Sequence, residues 1–165
     1  MHVLERLSIA VRHYRHVERL DWLWDAVRPV YDRMIDVTCK TGIRRNINGM
    51  DSILLAPRFR AVTEVYELEV WRRLMEELEP GDVFADVGAY LGLYTVAAAR
   101  RVGPAGRVHT FEPDIENYQA THEHLRLNGL QSRVELLQAA VGARCERVSF
   151  RGAPDSGHVA SDSDT

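Results

Sequence analysis

The sequence predicts an α/β fold built on a parallel sheet, and three observations carry that expectation. From Val83 onward, short apolar runs alternate with helical stretches, strand–helix–strand–helix–strand. A glycine-bearing loop, Asp86-Val87-Gly88-Ala89-Tyr90-Leu91-Gly92, joins the first of these strands to the first helix. An acid, Glu112, stands at the end of the second strand. Two β-α-β units in succession imply right-handed crossovers and parallel pairing. Ligands of such sheets bind beyond the carboxyl ends of the strands.

The elements follow in order. Residues 2 to 35 read as helix, because Leu4, Leu7, Val11, Tyr14, Val17, Leu20, Leu23, Trp24 and Val27 recur at three- and four-residue steps. Pro29 lacks an N–H and should break this segment, leaving one helix to about Val27 and a short one from Pro29 to about Asp36. The stripe suits packing onto the domain or a second subunit, and less well a membrane surface, since acids are as common as arginines. Asn48-Gly49, between the run ending at Ile47 and Asp51-Ser52-Ile53-Leu54-Leu55, signals a hairpin turn with two positive φ values. Pro57 should end the hairpin. Lys40, Arg44 and Arg45 read as a solvated strand face. Residues 63 to 79 read as a helix with Thr63 as N-cap and Val65, Leu68, Val70, Trp71, Leu74, Met75 and Leu78 as its apolar face, stopped by Pro80-Gly81.

Val83–Val87 is almost wholly apolar, as expected of a strand buried on both faces. Leu91 to Arg101 is the next helix, with Ala97-Ala98-Ala99 permitting close packing. Arg107–Phe111 is a strand, Ile115–Leu127 a helix stopped at Asn128-Gly129, and Val134–Gln138 a third strand. Arg147–Phe150 reads as a fourth, edge-type strand. Residues 152 to 165 hold almost no apolar content and are expected to be disordered. The expected organisation is therefore 1–62, helices and hairpin; 63–152, the α/β half-domain; and 153–165, the tail.

Composition narrows the function classes. The 165 residues suit one compact domain able to bury roughly 70% of its unfolded surface. With 21 basic against 24 acidic residues, net charge −3, a nucleic-acid-binding surface spread over the protein is not expected. Cys39 and Cys145 form no metal-binding spacing, so no metal is expected. The N-terminus shows no secretory pattern and no apolar run approaches the roughly 18 residues of a spanning helix, which makes the cytoplasm the expected location.

The two motifs point to a ligand. Gly88 lets the backbone turn sharply and approach a bound molecule, and the following helix start offers free N–H groups. A dinucleotide site prefers Gly-x-Gly-x-x-Gly, which this loop lacks. Its leading acid would repel a pyrophosphate but suits a ligand with a cationic amino-acid end, such as S-adenosylmethionine. Glu112, 24 residues after Gly88, is placed to accept hydrogen bonds from ribose hydroxyls, with Pro113 stiffening the strand exit. The competing reading for this acid is helix capping, for which Asp114 is the better candidate.

Residues 80–95, from Pro80-Gly81-Asp82 through Asp86-Val87-Gly88-Ala89-Tyr90-Leu91-Gly92-Leu93-Tyr94-Thr95, resemble the opening of the FkbM family of S-adenosylmethionine-dependent methyltransferases. So do Gly106–Asp114, Asn128-Gly129-Leu130 and Ala139-Ala140-Val141-Gly142, a resemblance covering about residues 63 to 152. It implies a Rossmann-like methyltransferase fold. It implies that Asp86, Gly88, Ala89, Tyr90 and Gly92 form the loop at the methionine end of the cofactor, that Glu112 and Pro113 hold the ribose, and that Ala139 and Ala140 lie by the adenine. The implied reaction is O-methylation of a small molecule or sugar. Tyr90 departs from the Asn or Gly common in related loops. The family's sheet continues after the position of Phe150 with further strands and an acidic segment that closes the active site, so an incomplete sheet is expected here. Two readings stay open: a donor-binding methyltransferase half, and a truncated, non-catalytic fragment or interaction module that self-associates through an exposed sheet edge or its N-terminal helix. No acceptor-side base is assigned; His109 reads as a packing or surface residue, and His158 is only a nearby candidate.

Overall fold

A computed structural model describes residues 27, 29–30, 33–34, 40–147, 149–151 and 158–160. The chain divides into two compact units, Met1–Glu64 and Val65–Thr165. Val27, Pro29, Val30, Arg33 and Met34 are helical; the rest of the expected N-terminal helices lies outside the described residues.

In the first unit, strands β1 (Ile43–Ile47) and β2 (Asp51–Leu55) pair antiparallel, with Ile47 opposite Asp51. Asn48 and Gly49 carry φ of 54° and 70°, and the Met50 N–H donates to the Ile47 carbonyl at 2.9 Å, closing the turn. Ile43, Ile47, Ile53 and Leu55 are buried. Arg45 corrects the expectation of a solvated basic face. Alternation places it between Ile43 and Ile47 on the inward face, where it is 6% exposed. Its guanidinium donates to the backbone carbonyls of Arg60 and Val62, so the buried charge is hydrogen-bonded. Pro57 opens a 3₁₀ turn after β2.

The second unit opens with helix α1 (Leu68–Glu77). The helix expected from Thr63 begins five residues later, because Glu67 adopts a left-handed backbone (φ 38°, ψ 54°) that cannot lie inside a right-handed helix. Its apolar face is also narrower than expected. Trp71 is fully buried and Leu78 nearly so, while Val65, Leu68 and Val70 are exposed.

Strands β3 (Val83–Val87), β4 (Arg107–Phe111) and β5 (Val134–Leu137) form a parallel sheet in the order β3-β4-β5. Helix α2 (Leu93–Val102) connects β3 to β4, and α3 (Ile115–Asn128) connects β4 to β5. Ala97, Ala98 and Ala99 are fully buried. Asp114 caps α3 by accepting the Glu116 and Asn117 N–H groups at 2.9 and 3.0 Å, and Gly129 ends it in the left-handed region (φ 67°). The α/β class with a parallel sheet and flanking helices is therefore the architecture of this unit.

Two strand expectations are corrected. β3 is not buried on both faces: it lies at the sheet's edge among the described residues, and Val83 and Val87 are 70% and 59% exposed. Asp86 and Thr110 face α2, so Val83, Ala85 and Val87 lie on the opposite face, where no described helix covers them. The expected fourth, edge-type strand does not join this sheet. Strand β6 (Ser149–Arg151) pairs antiparallel with β7 (His158–Ala160) as a separate ribbon. β7 also corrects the expectation that the whole tail lacks structure, since backbone pairing with β6 gives His158–Ala160 partners that composition does not reveal; residues 152–157 and 161–165 lie outside the described residues.

Candidate functional site

The loop after β3 is shaped by backbone hydrogen bonds to the end of β4. The Gly88 and Ala89 N–H groups both donate to the Phe111 carbonyl, at 2.8 and 3.3 Å, and Gly92 N–H donates to the Ala89 carbonyl at 2.7 Å. Three loop residues hold positive φ: Gly88 (75°), Tyr90 (53°) and Gly92 (69°). Gly92 has a second reason to be glycine, since a Cβ there would lie 2.5 Å from the Thr121 side chain on α3.

Tyr90, the unusual residue of the loop, is held through its backbone. Its N–H donates to Glu112 Oε2 at 2.6 Å, and its carbonyl accepts from Thr121 Oγ1 at 3.0 Å. The residue as a whole is 44% exposed. The next carbonyl, Leu91, accepts from His124 Nδ1 at 2.8 Å, which fixes that buried imidazole with a proton on Nδ1. Sequence reasoning missed Thr121 and His124, because helix α3 reaches the loop only through the crossover.

Glu112 is 4% exposed. Besides holding Tyr90, it accepts the Asp114 N–H on Oε1 at 2.9 Å. Each carboxylate oxygen thus holds one backbone donor and retains a second lone pair. Asp114, not Glu112, is the helix cap.

Asp86 is 8% exposed and lies on the α2 side of β3. Its Oδ2 accepts the Thr95 hydroxyl at 2.5 Å, and Thr95 Oγ1 lies 3.2 Å from Thr110 Oγ1. Burial raises the Asp86 pKa above the ordinary carboxylate value, opposed by the hydrogen bonds from Thr95 and reinforced by the charge of Glu112. Thr95 and Thr110 carry no recognisable motif and read in sequence as ordinary helix and strand residues.

Beyond Glu112, at the same carboxyl end of the sheet, a cavity of about 300 Å³ is lined by Pro113, Asp114, Ile115, Gln138, Ala139, Ala140 and Phe150. The structure therefore gathers the expected residues into two adjoining groups. Asp86, Gly88, Ala89, Tyr90, Gly92 and Glu112 build the loop, while Pro113, Ala139 and Ala140 line the cavity. His109 stands apart within β4, paired at the surface with Glu135 at 2.9 Å. Among the described residues no group of His, Cys, Asp and Glu side chains could hold a metal ion, and no helix is long and apolar enough to cross a membrane.

Solved structures similar to this chain include an S-adenosylmethionine-dependent methyltransferase from Aquifex aeolicus (27% identity, TM-score 0.38, covering 43% of this chain and 36% of that one). Another is an S-adenosylmethionine-dependent O-methyltransferase from Thermotoga maritima (26% identity, TM-score 0.44, 50% and 32%). A third, described as a candidate rRNA methylase, comes from Clostridium thermocellum (25% identity, TM-score 0.43, 44% and 39%). The matched part of this chain spans 32% to 39% of the length of these three proteins. No family model and no curated protein matches the chain.

Proposed function

We propose that the Val65–Thr165 unit binds S-adenosylmethionine and belongs to a methyltransferase of the FkbM type that methylates an oxygen of a small molecule or sugar. The observation that carries this reading is the pairing of Asp86 and Glu112 at the carboxyl ends of adjacent parallel strands, with a left-handed glycine loop between them and a cavity beside them. The parts of the cofactor fit these groups in order. Gly88 presents an open backbone, with nothing within 4 Å of where a Cβ would stand, and the Asp86 carboxylate beside it suits the cationic amino-acid end. The free lone pairs of Glu112 suit the ribose hydroxyls. A 300 Å³ cavity walled by Ile115, Ala139, Ala140 and Phe150 suits a flat purine. When bound, the cofactor supplies an electrophilic methyl group; this chain's residues hold and orient it, and orientation is itself a large share of catalysis.

The reading extends to a cytoplasmic location, consistent with Cys145 as an exposed free thiol. It also retains 63–152 as the donor-binding region. A second reading, a donor-binding or interaction unit without its own turnover, is favoured by the exposed Val83–Ala85–Val87 face, which invites self-association or cover by a partner.

Calorimetric titration of the 165-residue chain with S-adenosylmethionine and S-adenosylhomocysteine tests the proposal. Micromolar binding of at least one ligand is expected. Ala140→Trp, which fills the cavity and leaves the loop's hydrogen bonds intact, should weaken it at least about tenfold, roughly 1.4 kcal/mol. Absence of binding up to millimolar ligand would refute the reading. Transfer of a labelled methyl group to a panel of sugars and hydroxylated small molecules, with an RNA as counter-example, separates the first reading from the second.

A further inference from the structure

The turn before α1 and the first turn of α2 bring together side chains that the donor site described above does not use. Glu67 holds a left-handed backbone although it is neither Gly nor Asn. It stands at the N-cap position of α1, yet its side chain caps nothing. Its carboxylate instead accepts the Tyr94 hydroxyl at 2.6 Å. Non-glycine residues in this conformation concentrate where function holds them. The Tyr66 ring packs edge-on against Tyr94 at 5.8 Å and against Trp71 at 6.3 Å, and Trp71 lies 5.1 Å from Tyr94. Trp71 is wholly buried, so it anchors the group.

Tyr94 and Thr95 are consecutive on α2, directly after the glycine loop. Tyr94 reaches Glu67, and Thr95 reaches Asp86. Two carboxylates thus flank the first turn of α2. Burial raises the pKa of both Tyr66 and Tyr94, and the charges of Glu67 and Asp86 push in the same direction. Both phenols therefore stay neutral, and Glu67 is the one carboxylic side chain among these three residues. A carboxylate beside aromatic rings suits a cation that has no N–H to donate. Such a cation is recognised by negative potential and π faces rather than by directed hydrogen bonds.

Resting on the reading of the loop as a donor site, we propose that Glu67, steered by Tyr94 and flanked by the Tyr66 ring, faces the sulfonium centre of S-adenosylmethionine. The test uses two ligands that differ only in the methyl group and the positive charge on sulfur. Dissociation constants of S-adenosylmethionine and S-adenosylhomocysteine are measured for the wild-type chain and for Glu67→Gln. The amide keeps an acceptor for Tyr94 but carries no charge. The expected result is a fall of about three- to fivefold in the ratio Kd(S-adenosylhomocysteine)/Kd(S-adenosylmethionine), with S-adenosylhomocysteine binding unchanged within about twofold. Tyr94→Phe, which frees the carboxylate, should move the ratio the same way by less. The wild-type ratio should also shrink with added salt, and that of Glu67→Gln should not. An unchanged ratio, or an equal loss for both ligands, overturns this inference and leaves the donor reading standing. Failure of the wild-type chain to bind either ligand overturns both.

Discussion

Gly88 and Gly92 both sit in the left-handed region, but their surroundings differ, and so should the cost of replacing them. At Gly88 the added Cβ meets open space, so Gly88→Ala should cost about 1 kcal/mol of stability from backbone strain alone. At Gly92 the same change adds a clash with Thr121, and about 2–4 kcal/mol is expected. Urea denaturation of the two variants measures the difference. Asp86 gives a prediction in pH. Its folded pKa lies above its unfolded one, so the folded chain keeps a proton that the unfolded chain has already released. Stability therefore falls as pH rises from about 4 through the raised value. Asp86→Asn should flatten that decline and raise the thermal midpoint at neutral pH by a few degrees, on the order expected for a small domain, while weakening donor binding. Scanning calorimetry across pH 4 to 8 checks the sign. The acids themselves were legible in the sequence, from their positions after consecutive strands. Their partners were not, because the Tyr90 N–H, Thr95 and Thr121 meet them only through tertiary packing.

At the scale of elements, legibility followed periodicity and stop signals. Strands β3 and β4 lie where the apolar runs put them, and Asp114 caps α3 as its position before Ile115 implied. Asp114→Ala should cost about 1 kcal/mol, read as a lowered denaturation midpoint with an unchanged slope. Helix α1 starts later than the cap chemistry of Thr63 implies, because the left-handed turn at Glu67 sets the start. The helix then depends on a single buried anchor. Trp71→Ala should cost about 3–5 kcal/mol, whereas Val70→Ala, at an exposed site, should fall within about 0.5 kcal/mol. Comparing the two by equilibrium denaturation checks that assignment.

At the scale of the whole molecule, strand–helix alternation sufficed to predict a parallel sheet. It did not place β6, since a three-residue strand has no period long enough to name its partner. Nor did it reveal that one face of β3 is left open among the described residues, because an apolar strand reads alike whether one or both faces are covered. That open face has a measurable consequence. The purified chain should bind an apolar dye and self-associate as its concentration rises. Val83→Lys with Val87→Lys should reduce both effects without altering the far-ultraviolet spectrum. Light scattering and dye fluorescence report the two changes.

The bond from the Tyr90 N–H to Glu112 bears on how this protein can change over evolutionary time. One carboxylate both shapes the loop and offers itself to the ligand, so losing it should disrupt the loop before any loss of chemistry is felt. A descendant lineage released from selection for ligand binding would still retain an acid at this position. Relaxation should surface first at Ala139, Ala140 and Phe150, whose side chains wall the cavity. Drift at those three positions, with Glu112 intact, would be the signature of a scaffold kept after its ligand was abandoned.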